Sequence, residues 1–171
     1  MSESRSTMKS LSRNCGFTSS DAALRGSQYI RKEGSAMKKI VVVDGQGGKI
    51  GSMLVSRLKA EEGTFEICAV GTNSIATSAM MKAGADYGAT GENPAVVNCR
   101  DADVIVGPVG VVVADSMAGE VTPLMAAAAG QSAADKVLLP VNRCNNYIVG
   151  VREMTVAELI DAAIKKIRSL I

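Results

Sequence analysis

Histidine and tryptophan are absent from all 171 residues, and the aromatic complement is three tyrosines and two phenylalanines. Without histidine there is no Ser-His-Asp or Cys-His couple, no imidazole metal ligand, and none of the commonest general acid/base. The four cysteines, Cys15, Cys68, Cys99 and Cys144, are scattered with no CxxC pair. They read as reduced thiols of a cytoplasmic protein rather than a zinc cage or disulfide framework, so no metal site of the protein's own is expected. So few aromatics, with a formal net charge of only +2, give nucleic-acid binding no electrostatic or stacking footing. Most of the basic excess sits in residues 1–36, which hold six Lys/Arg against three Asp/Glu. Apolar runs are also short, which argues against a membrane span or a secretory signal.

What remains is an ordinary globular composition, 47% hydrophobic and 21% charged, with an aliphatic core in prospect. The length suits one domain. Residues 1–36 are Ser- and Arg-rich without a helical stripe and read as a disordered leader or an over-long start. The domain, residues 37–171, then opens abruptly at "MKKIVVVDG". The pattern predicts strands over 38–44, 65–70, 103–108, 136–140 and 147–151. A helix over 48–61 carries Ile50, Leu54 and Leu58 at every fourth position, and a second runs from Ser74 to Ala83, closed by Gly84. Pro94 opens a short helix with Asn93 as its N-cap, and "TPLMAAAAG" reads as a helix punctuated by Thr122, Pro123 and Gly130. Thr155 and Glu158 form a capping box for a terminal helix with Val156, Leu159, Ile160, Ala163, Ile164 and Ile167 on one face. Strands that read as continuous apolar runs rather than alternating ones, separated by helices, imply a mostly parallel sheet covered on both faces, a three-layer α/β sandwich.

The informative stretch is "KKIVVVDGQGGKIGSML", residues 38–54. Gly45, Gly48 and Gly51 stand at GxxGxxG spacing with Gly47 inside, directly between a strand and an amphipathic helix. Such a turn lets backbone approach an anion, and the new helix offers unpaired N–H groups there; Gln46, Lys49 and Ile50 belong to the same turn. Asp44, just before it, could repel a pyrophosphate, share Mg²⁺ with it, accept from a ribose, or brace the turn. A site for NAD usually has an acidic residue at the end of the second strand. Here that end reads Thr72, Asn73, Ser74, three residues that can donate and accept and that also cap a helix start. The glycine spacing resembles that of extended short-chain dehydrogenases, yet their Tyr-xxx-Lys pair is missing, because Gly91 follows Tyr87 and Val151 follows Tyr147 four residues on. It also resembles the opening of dihydrodipicolinate reductases, whose catalytic histidines have no counterpart here.

Four blocks together, "VVVDGQGGKIG", "AVGTNSIATSAMMKAGADYGATGEN", "DVIVGPVGVVVADSMAGEVTP" and "PVNRCNNYIVGV", closely resemble a small prokaryotic family known as domain of unknown function 3842. The resemblance implies a Rossmann-like fold and no established activity. The segments 45–51, 72–74, 90–93, 107–110 and 142–146 all follow strands in this reading and should converge on one rim, with Gly107 and Pro108 among the cofactor-binding residues. Arg143 is placed to clamp a carboxylate or phosphate, and Cys144 beside it is a candidate low-pKa thiolate or simply a turn residue. Glu92 and Glu120 suit acid/base work, Mg²⁺ on a phosphate, or plain solvated positions. The expectation is a domain that binds a nucleotide or dinucleotide, NAD or NADP first, as a small oxidoreductase in which Arg143 orients substrate and Cys144 or Glu92 moves protons. The alternatives are a non-enzymatic nucleotide or metabolite sensor and a homo-oligomeric structural subunit.

Overall fold

The computed structural model describes residues 37–141 and 146–171. Strand β1 (Lys38–Asp44) is buried from Ile40 onward because a parallel strand runs along each side of it. On one side lie β2 (Phe65–Gly71) and then β3 (Tyr87–Thr90); on the other, β4 (Val104–Pro108) and then β5 (Asp135–Leu139). The order is β3-β2-β1-β4-β5, all parallel, with Val42 opposite both Ala69 and Val106. Alternate residues of β1 face opposite ways, which divides the core in two. Ile40 and Val42 join Leu54, Leu58, Met80, Ile160 and Ile167, the apolar faces of α1 (Lys49–Lys59), α2 (Ser74–Lys82) and α5 (Val156–Arg168). Val41 and Val43 join Ala95, Cys99, Met125 and Ala129 on α3 (Glu92–Arg100) and α4 (Pro123–Gln131). These are the three layers of a Rossmann-like α/β fold. No helix among the described residues is long and apolar enough to cross a membrane.

The local chemistry explains most element ends. Thr122 caps α4 by accepting from the Met125 N–H at 3.2 Å, with Pro123 at the first position. The Thr155 and Glu158 capping box is formed in full at the start of α5. Gly84, with φ of 108°, follows the end of α2.

Four expectations need correction. The helix foreseen at Pro94 starts two residues earlier, at Glu92, with Gly91 and not Asn93 at the N-cap. Proline is tolerated in that first turn because the N–H it lacks would have no intrahelical partner. Gly130 does not end α4, which continues to Gln131. Residues 147–151 form no strand: Tyr147 and Val149 are 80% and 96% exposed, so the run has strand-like residues but no ladder to join. The fifth strand is instead β3, a four-residue edge strand of alternating burial whose "YGAT" has no apolar run to announce it.

Candidate functional site

Where β1 ends, the chain turns through glycines and enters α1. Gly48 holds the N-cap in the left-handed region, φ 65°, and a Cβ there would lie 2.6 Å from the Ala76 Cα. Only glycine satisfies both limits. At Gly51 a Cβ would meet the Met80 Sδ and, at 2.8 Å, the Asp44 Cβ, so this glycine sets how closely helix rests on strand. Gly47 differs from both: nothing lies within 4 Å of its Cβ position, and it is exposed.

The N-cap glycine has no side chain, so α1 takes its cap from the strand. Asp44 Oδ2 accepts from the Gly51 N–H at 2.6 Å and Oδ1 from the Gly45 N–H at 2.8 Å. Of the roles open to this carboxylate, bracing the turn is the one its hydrogen bonds display. Burial pushes the Asp44 carboxyl above its ordinary value; the N–H groups of Gly51, Gly45 and Ile50 pull the other way without cancelling it, and the charge of Glu120 adds to the rise. The protein's own carboxylate therefore already occupies part of the anion seat at the helix start. Among the described residues nothing accepts from the N–H of Gly47 or Lys49, and the Lys49 ammonium has no ion-pair partner.

A second carboxylate braces the outer side of the turn. Glu120 Oε2 accepts from the Gln46 N–H at 2.8 Å, from Thr72 Oγ1 at 2.5 Å and from Asn73 Nδ2 at 2.8 Å. Burial acts to raise its pKa, but these donors outweigh that and leave it below the ordinary glutamate value. Asn73 also donates to the Gln46 carbonyl at 3.0 Å and caps α2 by accepting from the Ala76 N–H. Gln46 itself sits in the left-handed region, φ 51°.

Beside the turn opens a cleft of about 310 Å³. Its polar end is Asp44, Gln46, Gly47 and Lys49; Ile50, Met53, Met117, Val141 and Val156 give it apolar walls, and Pro108, Gly110 and Asn146 complete it. The position follows from topology. The connection from β1 goes to β2 on one side and the chain later returns to β4 on the other, so the carboxyl ends of β1 and β4 diverge and leave a crevice, the usual ligand position in such sheets.

Gly45, Gln46, Gly47, Gly48, Lys49, Ile50 and Pro108 thus line one cleft. Others singled out in the sequence do not. Thr72 and Asn73 lie on the far side of the turn, tied to Glu120, and Ser74 is an exposed first residue of α2. Gly51 is buried under the turn, and Gly107 is buried in β4 against the Val43 carbonyl. Glu92 accepts from Thr122 Oγ1 at 2.5 Å, at the starts of α3 and α4 and away from the cleft lining. Arg143 and Cys144 lie outside the described residues. Cys68 and Cys99 are buried free thiols whose pKa burial raises, to about 11 for Cys99, so neither is a ready nucleophile. Among the described residues no His, Cys, Asp and Glu group of metal-binding size occurs. Met117, packed in the core with Val121 and Met125, and Val156, on the apolar face of the terminal helix, both also wall the cleft, a role no local pattern encodes.

The sequence model of a domain of unknown function, DUF3842, matches residues 39–171. No protein of curated function matches the chain. Among solved structures, the dodecameric FMN-dependent Ubix-like decarboxylase from Escherichia coli O157:H7 is similar at a TM-score of 0.41 and 13% identity, over 77% of this chain and 95% of that one.

Proposed function

The chain belongs to the DUF3842 family of uncharacterised domains, and from that premise we propose that its switch-point cleft binds a nucleotide through a phosphate at the glycine turn. One observation carries the reading: the cleft opens where β1 and β4 diverge, and its polar end is the turn itself, with the open Gly47 and the uncommitted N–H groups of Gly47 and Lys49. A phosphate accepting from these two groups and from the Lys49 ammonium would place the rest of a nucleotide against Ile50, Met53, Met117 and Val156. Apolar walls with a few convergent polar groups suit a heteroaromatic ring and a charged end. The glycine spacing by itself names NAD and NADP, and FMN and the purine triphosphates present the same phosphate to such a turn. Binding is the property the described residues support. An oxidoreductase role stands on Arg143 and Cys144, and its separate test is oxidation of NADH or NADPH by the purified protein.

The reading is tested by thermal unfolding of the full chain with NADH, NADPH, FMN, ATP and GTP, each with and without Mg²⁺. A ligand at about 100 times its dissociation constant adds roughly 2.7 kcal/mol, several degrees for a chain of this size. Gly47→Val should abolish the shift while leaving the ligand-free midpoint nearly unchanged, because its Cβ enters open space. Gly48→Val should lower the midpoint itself, through the left-handed backbone and the contact with Ala76. If no nucleotide raises the midpoint, or Gly47→Val leaves the shift intact, the proposal fails.

A further inference from the structure

In a dinucleotide site of this topology the second nucleoside lies between the glycine turn and the end of β2, where a carboxylate takes its ribose hydroxyls. Here that interval is already occupied by the chain. The carboxylate comes from the segment between β4 and α4, residues 113–121, which crosses over the turn and delivers Glu120 to Thr72, Asn73 and the Gln46 N–H. Met117 of the same segment covers Gly45: a Cβ there would meet Met117 Sδ and Thr72 Oγ1 at 2.7 Å and Glu120 Oε2 at 3.0 Å.

The segment is wound tightly. Asp115, Met117 and Ala118 have φ of 61°, 56° and 59°, followed by Gly119 at 87°. The Asp115 N–H donates to the Val121 carbonyl at 2.8 Å, and Ser116 Oγ, buried, donates to the Gly110 carbonyl at 2.5 Å. Non-glycine residues in that region carry a local cost that surrounding contacts must offset, and the Glu120 hydrogen bonds are such contacts. The open cleft lies on the other side of the turn, toward β4 and α5, and none of Thr72, Asn73 or Glu120 lines it.

We propose that Glu120 determines specificity: by fastening the 113–121 segment across the glycine turn and the end of β2, it closes the second half of the site and restricts the cleft to mononucleotides. The inference rests on the nucleotide reading above and names the size class of the ligand. A cleft of about 310 Å³ agrees with it, being at the small end of the range for ligand pockets.

The test is calorimetric titration of the full chain with matched pairs, FMN against FAD and AMP or nicotinamide mononucleotide against NAD. The wild-type chain should prefer the mononucleotide of at least one pair by about tenfold or more. Glu120→Ala should cut that ratio by about tenfold through a gain in dinucleotide affinity. Glu120→Gln, which keeps an acceptor oxygen, should fall between and guards against misfolding of the alanine variant. A wild-type chain that binds the dinucleotide as well as the mononucleotide overturns the inference and leaves the nucleotide reading standing. So does a Glu120→Ala chain that loses dinucleotide affinity, since Glu120 would then be reading a ribose. If neither size class binds wild type or variant, the nucleotide reading fails and the restriction falls with it.

Discussion

A buried carboxylate needs donors on both oxygens, and Asp44 finds them in the turn it belongs to, on Gly45 and Gly51. Glycine at the N-cap makes this necessary, because a side chain at Gly48 would strike Ala76 and the helix must then be capped from the strand. Asp44→Ala should therefore cost about 1–3 kcal/mol, the range for leaving buried donors unpaired, read as a lower urea midpoint at unchanged slope. A value near zero would mean that water satisfies those N–H groups and that Asp44 is free for a ligand. The bracing role of Asp44 was legible in the sequence as one of several, since its partners are one and seven residues away. That of Glu120 was not, because Gln46 and Thr72 lie 74 and 48 residues from it and only the crossing segment joins them.

Among the elements, those with a strong local signal were readable and those made by pairing alone were not. β1, β2 and β4 carry unbroken runs of buried apolar residues because strands flank them, and α1 and α5 show their buried faces at helical spacing. β3 has neither signal: half of its residues are exposed, and it is a strand because Cys68 to Gly71 offer it a ladder. Residues 147–151 err the other way, with β-branched residues and no ladder. Helix α5 closes the α1 face of the sheet through Ile160, Ile164 and Ile167. Ile160, 1% exposed, should cost about 2–5 kcal/mol on replacement by alanine, as buried large-to-small changes do. A urea titration giving less than about 1 kcal/mol, well under that range, would mean that α5 is peripheral to the cooperative unit. Because Val156 at the start of α5 walls the cleft, the same helix joins fold stability to the shape of the site.

At the scale of the molecule, carboxylates shifted in opposite directions give stability a pH dependence with opposing parts. Glu120 is held below its ordinary pKa by the Thr72, Gln46 and Asn73 donors, against the effect of burial. Asp86 is likewise lowered against burial, by Lys59 at 2.7 Å and the Ile67 N–H at 2.8 Å. Each contributes stability that is present above its unfolded pKa, about 4, and is lost as pH falls through the lower folded value. Asp44 runs the other way. Burial raises its folded pKa, so its contribution is fully present below the unfolded value and is lost as pH rises through the folded one. The net acid limb is a difference, and substitution separates its parts. Glu120→Gln should make the fall in stability below about pH 5 shallower, whereas Asp44→Asn should make it steeper by removing the opposing titration. Urea midpoints measured from pH 3 to pH 7, roughly the span of carboxylate titration, decide it. Equal changes of slope in both variants would mean that neither carboxylate titrates as its surroundings in the fold dictate, and that the two braces of the glycine turn are not held as described.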